Sequence, residues 1–407
     1  MIESNERIIW MKKTTCGIAA SVISLAVLFS SCSANLGPET LPSTTPATEP
    51  TETEPTETEE THLPEETEPS STAVVTESIV EKYGRLQIDG KKITDSEGES
   101  VILKGISSYG IQDCENFFTP EIVKTLAEDW GVDVLRIAVT GDENSEGYLK
   151  DPEKYFDLVC KMCDMCIVQG IYVIVDWNVC FVEEEDETKE AAVDFFTRLS
   201  TIYADSPNVI YEVANDPLLD DEEDEDADEW NDIIVPFVSD IIEVTRENSP
   251  DSIIIVGAPN KGIDIDVASE DMLDYDNIAY AFRFYSGSQG YLLREKAKTA
   301  MDNGACVIAT QFGLGTENST DGINELMSTT WMKFMNEYEI SWCNYAIGSN
   351  AEESANALLL DAENYTDEQK YSGHWPDGLI SDSGHFARDQ FLYVEPVTEE
   401  TSETTEE

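Results

Sequence analysis

Positively charged side chains are scarce in this sequence. The 407 residues include 24 Lys and Arg against 84 Asp and Glu, which gives a formal net charge of −60 at pH 7. A field of that sign repels nucleic acid, anionic membrane surfaces and acidic polysaccharides, so none of these is an expected partner. A neutral partner meets no such repulsion, and the composition leaves that class open.

Histidine is scarcer still, with three residues in the whole chain. His62 lies in a stretch rich in Thr, Glu and Pro, and His374 and His385 lie late in the sequence. None of them follows one of the predicted strands that are expected to carry the functional site. We expect no metal or other cofactor at that site.

The nine cysteines are an odd number, and their spacing indicates no disulfide framework. Cys160, Cys163 and Cys166 fall three residues apart on a predicted helix, and Cys180 is the nearest candidate for a fourth metal ligand. Buried free thiols are the favoured interpretation, because free cysteine behaves as a small hydrophobic residue.

Residues 1–32 are predicted to be an export signal. Lys12 and Lys13 precede an apolar run at residues 17–29, and small residues lead to Cys32. This pattern resembles the bacterial lipoprotein signal, in which the cysteine is lipidated and holds the protein at the cell surface. Ordinary signal cleavage, which would release a secreted protein, is the alternative.

Two segments are predicted to be disordered, an N-terminal tether at residues 33–78 and an acidic tail at residues 394–407. Both are rich in Thr and Glu and poor in large apolar residues. Such segments bury too little apolar surface to offset the entropy lost on ordering. The globular domain is therefore expected between residues 79 and 393.

That domain alternates short apolar runs with amphipathic stretches that predict helices, such as Pro152–Gln169. The predicted strands are Val101–Ser107, Val132–Val139, Ile171–Trp177, Val209–Ala214, Ile253–Gly257, Ile278–Tyr285, Val307–Thr310 and Ile340–Tyr345. Eight strands alternating with helices predict an α/β fold of the (β/α)8 TIM-barrel type, with residues 86–93 as a hairpin across its floor. A doubly wound open sheet is the alternative, but no Gly-rich phosphate loop follows the first strand.

In such a barrel the functional side chains follow the carboxyl ends of the strands. The residues at these ends are mostly amides and aromatics: Tyr109, Gln112, Arg136, Trp177, Asn178, Asn215, Asp216, Asn260, Arg283, Tyr285, Gln311, Phe312, Trp342 and Tyr345. Aromatic faces, amides and a buried arginine are how a cleft holds a neutral sugar. The alternative is that these residues only satisfy polar groups around the barrel rim.

Six stretches of the domain carry further information. They are residues 103–112 (LKGISSYGIQ), 133–138 (DVLRIA), 170–177 (GIYVIVDW), 207–215 (PNVIYEVAN), 340–344 (ISWCN) and 381–384 (SDSG). Together they resemble the cellulase (endo-β-1,4-glucanase) branch of glycoside hydrolase family 5, over residues 86–392. The resemblance implies a TIM barrel that acts on a neutral β-glucan by retaining hydrolysis, which needs two carboxyls about 5–5.5 Å apart.

The resemblance also implies that both catalytic positions have changed. The family has an acid/base Glu where this chain has Asp216, and a nucleophile Glu where it has Gln311. Asp is one methylene shorter, and a neutral amide is a poor nucleophile that does not balance an oxocarbenium-like charge. Loss of a covalent nucleophile lowers the rate by several orders of magnitude.

The remaining family positions imply substrate-binding roles. Residues that match the family are Arg136, Trp177, Asn215, Tyr285 and Trp342; residues that replace its His or Trp are Asn178, Arg283, Phe312 and Tyr345. We expect Arg283 to lie near Asp216 and to favour the charged form of that carboxyl, which is the opposite of what a general acid needs.

Three functions follow as hypotheses for a protein expected to be a monomer. The first is non-catalytic binding of a neutral, plant-type β-glucan. The second is an active glycoside hydrolase that uses Asp216 with an unusual partner, for which Glu115 and Glu143 are the candidate carboxylates. The third is a non-catalytic cell-surface scaffold, with the acidic run at residues 220–229 as a contact surface. That run lacks the spacing and the glycine of a calcium loop, so a solvated acidic loop at the cleft rim is the favoured interpretation.

Overall fold

The computed structural model describes residues 77–141, 146–179, 187–215, 228–317, 320–351, 354–361 and 364–393. The predicted export signal with Cys32 and the whole acidic tail lie outside these ranges. So does the tether, apart from residues 77 and 78. Asp216, Glu143, Cys180 and residues 220–227 of the acidic run lie outside them too. No helix in the described ranges has the length and the apolar character that a membrane crossing requires.

Eight parallel strands close into a barrel, which confirms the predicted fold. A small antiparallel hairpin precedes them, formed by β1 (Gln87–Asp89) and β2 (Lys92–Thr94). The barrel strands are β3 (Lys104–Gly110), β4 (Val134–Thr140), β5 (Tyr172–Asn178), β6 (Val209–Ala214), β7 (Ile254–Gly257), β8 (Ile278–Tyr285), β9 (Val307–Gly313) and β10 (Trp342–Ile347). Each strand pairs with its neighbour in chain order, and β10 closes the barrel against β3.

Helices precede, connect and follow the strands. They are α1 (Ile79–Tyr83), α2 (Ile111–Cys114), α3 (Pro120–Lys124), α4 (Pro152–Gln169), α5 (Glu187–Ile202), α6 (Val235–Asn248), α7 (Pro259–Gly262), α8 (Ile265–Glu270), α9 (Tyr291–Asp302), α10 (Glu325–Glu337), α11 (Asp367–Lys370) and α12 (Asp382–Phe391). The bounds of α4 match the prediction because both ends carry local signals. The Asp151 side chain caps its first turn, and Gly170 ends it in a left-handed conformation.

The side chains of the barrel strands form two apolar layers. Val173, Val175 and Trp177 of β5 face outward and pack against the helices. Tyr172 and Ile174 of the same strand face inward and join an interior cluster near the amino-terminal end of the barrel. Leu86 and Ile93, which flank or belong to the hairpin, belong to this interior cluster, so the hairpin covers the barrel floor as predicted. The opposite, carboxyl-terminal end is left for polar side chains.

Candidate active site

A buried arginine lies at the centre of the barrel, above the interior apolar cluster. Arg136 on β4 places Nε 2.6 Å from Oε2 of Glu212 and Nη2 2.8 Å from Oδ2 of Asp176. Its Nη1 donates a hydrogen bond to the Ser107 hydroxyl at 2.9 Å, and the Thr310 hydroxyl donates to the second Glu212 oxygen at 2.7 Å. All five residues are fully buried. They tie five of the eight strands together directly beneath the strand ends.

The network holds two carboxyls against one guanidinium. Burial raises the pKa of Asp176 well above its ordinary value; Arg136 opposes the rise, and the neighbouring Glu212 carboxylate adds to it. A proton retained by Asp176 leaves one negative and one positive charge, so the buried network becomes neutral.

Asp176 and Glu212 are absent from the residues predicted at strand ends because both lie inside apolar runs. Their signal was the alternation of side chains along each strand, which places them on the same face as Arg136. A buried arginine needs such partners, because an unpaired charge in the barrel interior would be strongly destabilising.

Gln311, which the family resemblance assigns to the nucleophile position, faces Arg283 across two neighbouring strands. The two residues are register partners in β8 and β9, and Arg283 Nη1 donates a long hydrogen bond of 3.4 Å to Gln311 Oε1. Gly262 lies against the arginine stem in a left-handed conformation (φ +78°), where a Cβ would come within 2.9 Å of Arg283 Cγ. The stem of Arg283 therefore occupies a space that only a glycine leaves open. Because Asp216 lies outside the described residues, the expected contact between Arg283 and Asp216 stays a prediction.

Tyrosine rings and amides lie at the same end of the barrel as this pair, at or next to the strand ends. The Tyr345 ring lies 4.9 Å from the ring of Tyr109 and 6.4 Å from that of Tyr285, both edge to face. Asn215, at the end of β6, is fully buried, and neither atom of its amide group has a hydrogen-bond partner among the described residues. Asn178 ends β5, and its hydrogen bond to Asp176 lowers the pKa of that carboxyl. The tyrosine rings and the amides of Asn215 and Asn178 are uncharged. They provide ring faces, hydrogen-bond donors and hydrogen-bond acceptors of the kind that a neutral ligand needs.

Trp177 does not belong to this cluster, and the substrate-binding prediction for it is wrong. Its side chain is fully buried on the outer face of β5, 5.2 Å from the Tyr148 ring and 5.4 Å from the Phe195 ring. The physical reason is the alternation of side chains, since Asp176 and Asn178 on either side of it face inward.

Three further predicted contacts are not seen: the register shift between β8 and β9 accompanies the outward direction of Phe312, alternation directs Trp342 outward, and buried partners engage Arg136. Phe312 stacks on Phe284 with ring centroids 5.0 Å apart, and Trp342 stacks on Phe391 at 5.2 Å, so both rings are engaged in the outer layer. Arg136 is fully buried and engaged by two carboxyls and a hydroxyl. Its guanidinium is therefore occupied within the buried network beneath the strand ends.

Other candidates have partners of their own. Glu115 forms an ion pair with Lys154 at 2.9 Å, at the start of α4. The backbone N–H of Asn260 donates to Glu229, the last residue of the acidic run, at 3.0 Å. Gln112 donates to Asp113 at 3.0 Å. These contacts give each side chain or loop a structural role at the rim.

The cysteines behave as hydrophobic residues within the described part of the chain. Cys163 and Cys166 on α4 are fully buried, and burial raises the pKa of both thiols. No group of three or more metal-binding side chains occurs among the described residues. This arrangement agrees with free thiols.

The fold and the strand ends together define the class of the protein. A closed (β/α)8 barrel, with tyrosines and amides at the carboxyl ends of its strands, is a scaffold of the kind that carbohydrate-active enzymes use. Within that class the chain belongs to the family Cellulase (glycosyl hydrolase family 5), whose profile matches residues 94–351.

Curated relatives and solved structures agree with this assignment. The chain is 33% identical to Endoglucanase A of Evansella cellulosilytica over 320 residues, covering 79% of this chain and 62% of the relative. It is 31% identical to Endoglucanase N of Pectobacterium atrosepticum, covering 79% of this chain and 68% of the relative. The catalytic domain of Thermobifida fusca endoglucanase Cel5A, solved as a glutamate-to-glutamine variant with cellotetraose, superposes with a TM-score of 0.67 at 27% identity, covering 77% of this chain and 99% of that domain. The chain spans about three-fifths of the length of the first of these relatives.

Proposed function

We propose that the cleft at the carboxyl ends of the strands binds a neutral β-glucan, and that hydrolysis by the family's two-carboxylate route is lost or strongly slowed. The observation that carries this proposal is the pair formed by Gln311 and Arg283. The resemblance assigns residue 311 to the nucleophile position, where this chain has an amide, and a guanidinium lies beside that amide.

The chemistry of this pair opposes the family reaction in two ways. Retaining hydrolysis needs an anionic nucleophile, which an amide does not provide. The transition state also develops positive charge on the sugar ring, and a cation at Arg283 repels that charge. Both effects raise the barrier to bond cleavage, whereas neither prevents a neutral sugar from binding.

Binding is supported by the groups around the pair. Asn215 has a buried amide without a partner among the described residues, and Tyr285 and Tyr345 supply aromatic rings. In the Thermobifida fusca domain, a variant with glutamine in place of a glutamate was solved with cellotetraose, so that substitution is compatible with a bound sugar in that relative. The net charge of −60 favours a neutral ligand over an acidic one.

The test combines a binding and a hydrolysis measurement on the same protein. We expect calorimetry with cellotetraose to detect binding, and a chromogenic β-glucan to release no dye above the buffer control over a long incubation. Asn215→Ala is expected to weaken cellotetraose binding, while Asn336→Ala, on α10 and away from the strand ends, is the matched control. Hydrolysis at an ordinary enzymatic rate, lost in Asp216→Asn, would overturn the proposal.

The second candidate is an active glycoside hydrolase with an altered mechanism. The names of the relatives favour it, because both curated relatives above are endoglucanases. The hydrolysis measurement decides between the two. A chain that neither binds nor cleaves β-glucans would point to the third function, a non-catalytic scaffold.

The proposed location is outside the cytoplasm, with Cys32 as a lipid anchor at the cell surface or with release after ordinary signal cleavage. The apolar run and the small residues before Cys32 support this location. Labelling with a radioactive fatty acid in a bacterial host would separate the two routes. Label that is incorporated by the unaltered chain and lost in Cys32→Ser would show lipidation, whereas no incorporation would favour ordinary cleavage.

A further inference from the structure

An exposed apolar surface lies where helices α9 and α10 begin. Tyr291 is 64% exposed, Leu292 is 77% exposed and Leu326 is 77% exposed. Helix α9 follows strand β8 and α10 follows β9, so both helices start at the cleft end of the barrel. We refer to these three side chains as the Tyr291 platform.

The two helix starts are fixed to one another. A Cβ on Gly290, next to Tyr291, would lie 3.1 Å from Cε of Met327, next to Leu326. The Trp331 indole N–H of α10 donates to the Gln289 carbonyl before α9 at 3.0 Å. The platform therefore stands on a rigid base, and a ligand bound there would order little additional backbone.

We infer that the Tyr291 platform is a second binding surface for the same neutral β-glucan, outside the cleft. This inference rests on the proposed function of the cleft. A tyrosine ring gives a flat apolar face that stacks on the C–H groups of a pyranose, and its hydroxyl bonds to sugar hydroxyls. Clustered exposed apolar side chains commonly mark an interaction site.

The position of the platform and the net charge of the chain favour a neutral polymer as its ligand. The strands that carry Arg283 and Gln311 are followed along the chain by α9 and α10, so the platform and the cleft lie at the same end of the barrel. We expect one long polymer chain that leaves the cleft on this side to reach Tyr291. A neutral polymer approaches without repulsion, even though the chain carries a net charge of −60. A short oligosaccharide fills the cleft alone, whereas a polymer engages both surfaces.

The test compares a polymer with an oligosaccharide. Affinity electrophoresis in gels that contain hydroxyethyl cellulose reports polymer binding, and calorimetry with cellotetraose reports cleft binding. We expect Tyr291→Ala and Leu326→Ala to bind the polymer about fivefold to tenfold more weakly and cellotetraose unchanged. Tyr291→Trp keeps the ring face and should bind the polymer at least as well as the unaltered chain.

Matched controls come from the opposite end of the barrel. Val168, near the end of α4, is 80% exposed, and Ile202, at the end of α5, is 56% exposed. Val168→Ala and Ile202→Ala remove exposed apolar surface without touching the platform, so polymer binding should be unchanged in both.

Each outcome has a distinct meaning. Polymer affinity that is equal in Tyr291→Ala and the unaltered chain would overturn the platform and leave the cleft proposal standing. Failure of the unaltered chain to bind either ligand would overturn both. Self-association that Leu326→Ala abolishes, with polymer affinity unchanged, would show that a second copy of the chain covers this surface and would also overturn the inference.

Discussion

Arg283 and Gln311 face one another across strands β8 and β9, with 3.4 Å between the guanidinium Nη1 and the amide Oε1. The contact joins a permanent cation to the residue that the family resemblance assigns to the nucleophile position. A carboxylate restored at residue 311 would therefore form an ion pair with Arg283. Its charge would be partly neutralised, and its reactivity toward a sugar would fall.

Placing glutamate at both residue 216 and residue 311 is accordingly not expected to restore the activity in full. In the Asp216→Glu background, adding Gln311→Glu should give weak hydrolysis of a chromogenic β-glucan. Adding Arg283→His as well should raise that rate by at least about tenfold, because the substitution removes the permanent positive charge beside the new carboxylate. Asp216→Glu alone is the control and should stay inactive. A rate in the double variant that equals the triple variant would show that Arg283 has no influence on residue 311.

Gly262 provides the space for the stem of Arg283. Gly262→Ala combines a left-handed backbone with a Cβ that would lie 2.9 Å from Arg283 Cγ, so Arg283 must shift. Gly98→Ala is the matched control, since Gly98 has φ +84° and nothing within 4 Å of its Cβ position. We expect both variants to lose about 1–2 kcal/mol of unfolding free energy in urea from the backbone alone. Only Gly262→Ala should also weaken the binding of cellotetraose, because only this variant displaces Arg283. An equal affinity in the two variants would show that Gly262 does not influence binding in the cleft.

The barrel was predictable because each strand and helix carries its own local signal. The run Val209–Ala214 was predicted with the bounds that the structure gives, and α4 likewise. The side-chain directions within β5 were also available from the sequence. Alternation sets Asp176 with Tyr172 and Ile174, and sets Trp177 with Val173 and Val175. Taking every residue at a strand end as a cleft residue ignored that alternation.

The direction of Gln311 was not available from the same rule. Ile308 and Thr310 face the barrel interior, so strict alternation would send Gln311 outward. The register of β8 against β9 shifts between Ala281 and Arg283, and beyond that shift Gln311 lies beside Arg283. A register shift depends on pairing between strands that are distant in sequence, and a single strand carries no signal for it. The expectation that Gln311 faces the cleft came from the resemblance to a known family, because periodicity along the strand did not predict it.

The buried network under the cleft should depend on its arginine. Arg136→Met would leave Asp176 and Glu212 without their cation in the barrel interior. We expect the free energy of unfolding in urea to fall by about 3–5 kcal/mol at pH 7. Neutralising both acids in the same chain, with Asp176→Asn and Glu212→Gln, should recover part of that loss. Lys124→Met is the control, because its ion pair with Glu128 spans 3.8 Å on the surface and contributes less than about 1 kcal/mol. An equal loss in the two single variants would mean that the network adds nothing beyond a surface pair.

Asp133 gives the clearest dependence of stability on pH. Its carboxylate accepts a hydrogen bond from the Lys104 backbone N–H at 3.0 Å, and burial raises its pKa to about 6. An unfolded chain has an Asp pKa of about 4, so between about pH 4 and pH 6 the folded state binds more protons than the unfolded state. The contribution of this group to stability therefore decreases as pH rises through that window, and it stays low at higher pH.

Asp133→Asn should remove this dependence, since the amide oxygen still accepts the Lys104 hydrogen bond and carries no charge to desolvate. The difference between the folded and unfolded pKa of Asp133 corresponds to at most about 3 kcal/mol. We expect the variant to be more stable than the unaltered chain at pH 7, by an amount that shrinks toward zero near pH 4. Urea unfolding across that range measures the difference, and Glu97→Gln, which neutralises an exposed acid on the hairpin side of the barrel, controls for net charge. A gap between Asp133→Asn and the unaltered chain that stays constant with pH would show that Asp133 titrates alike in the folded and unfolded states.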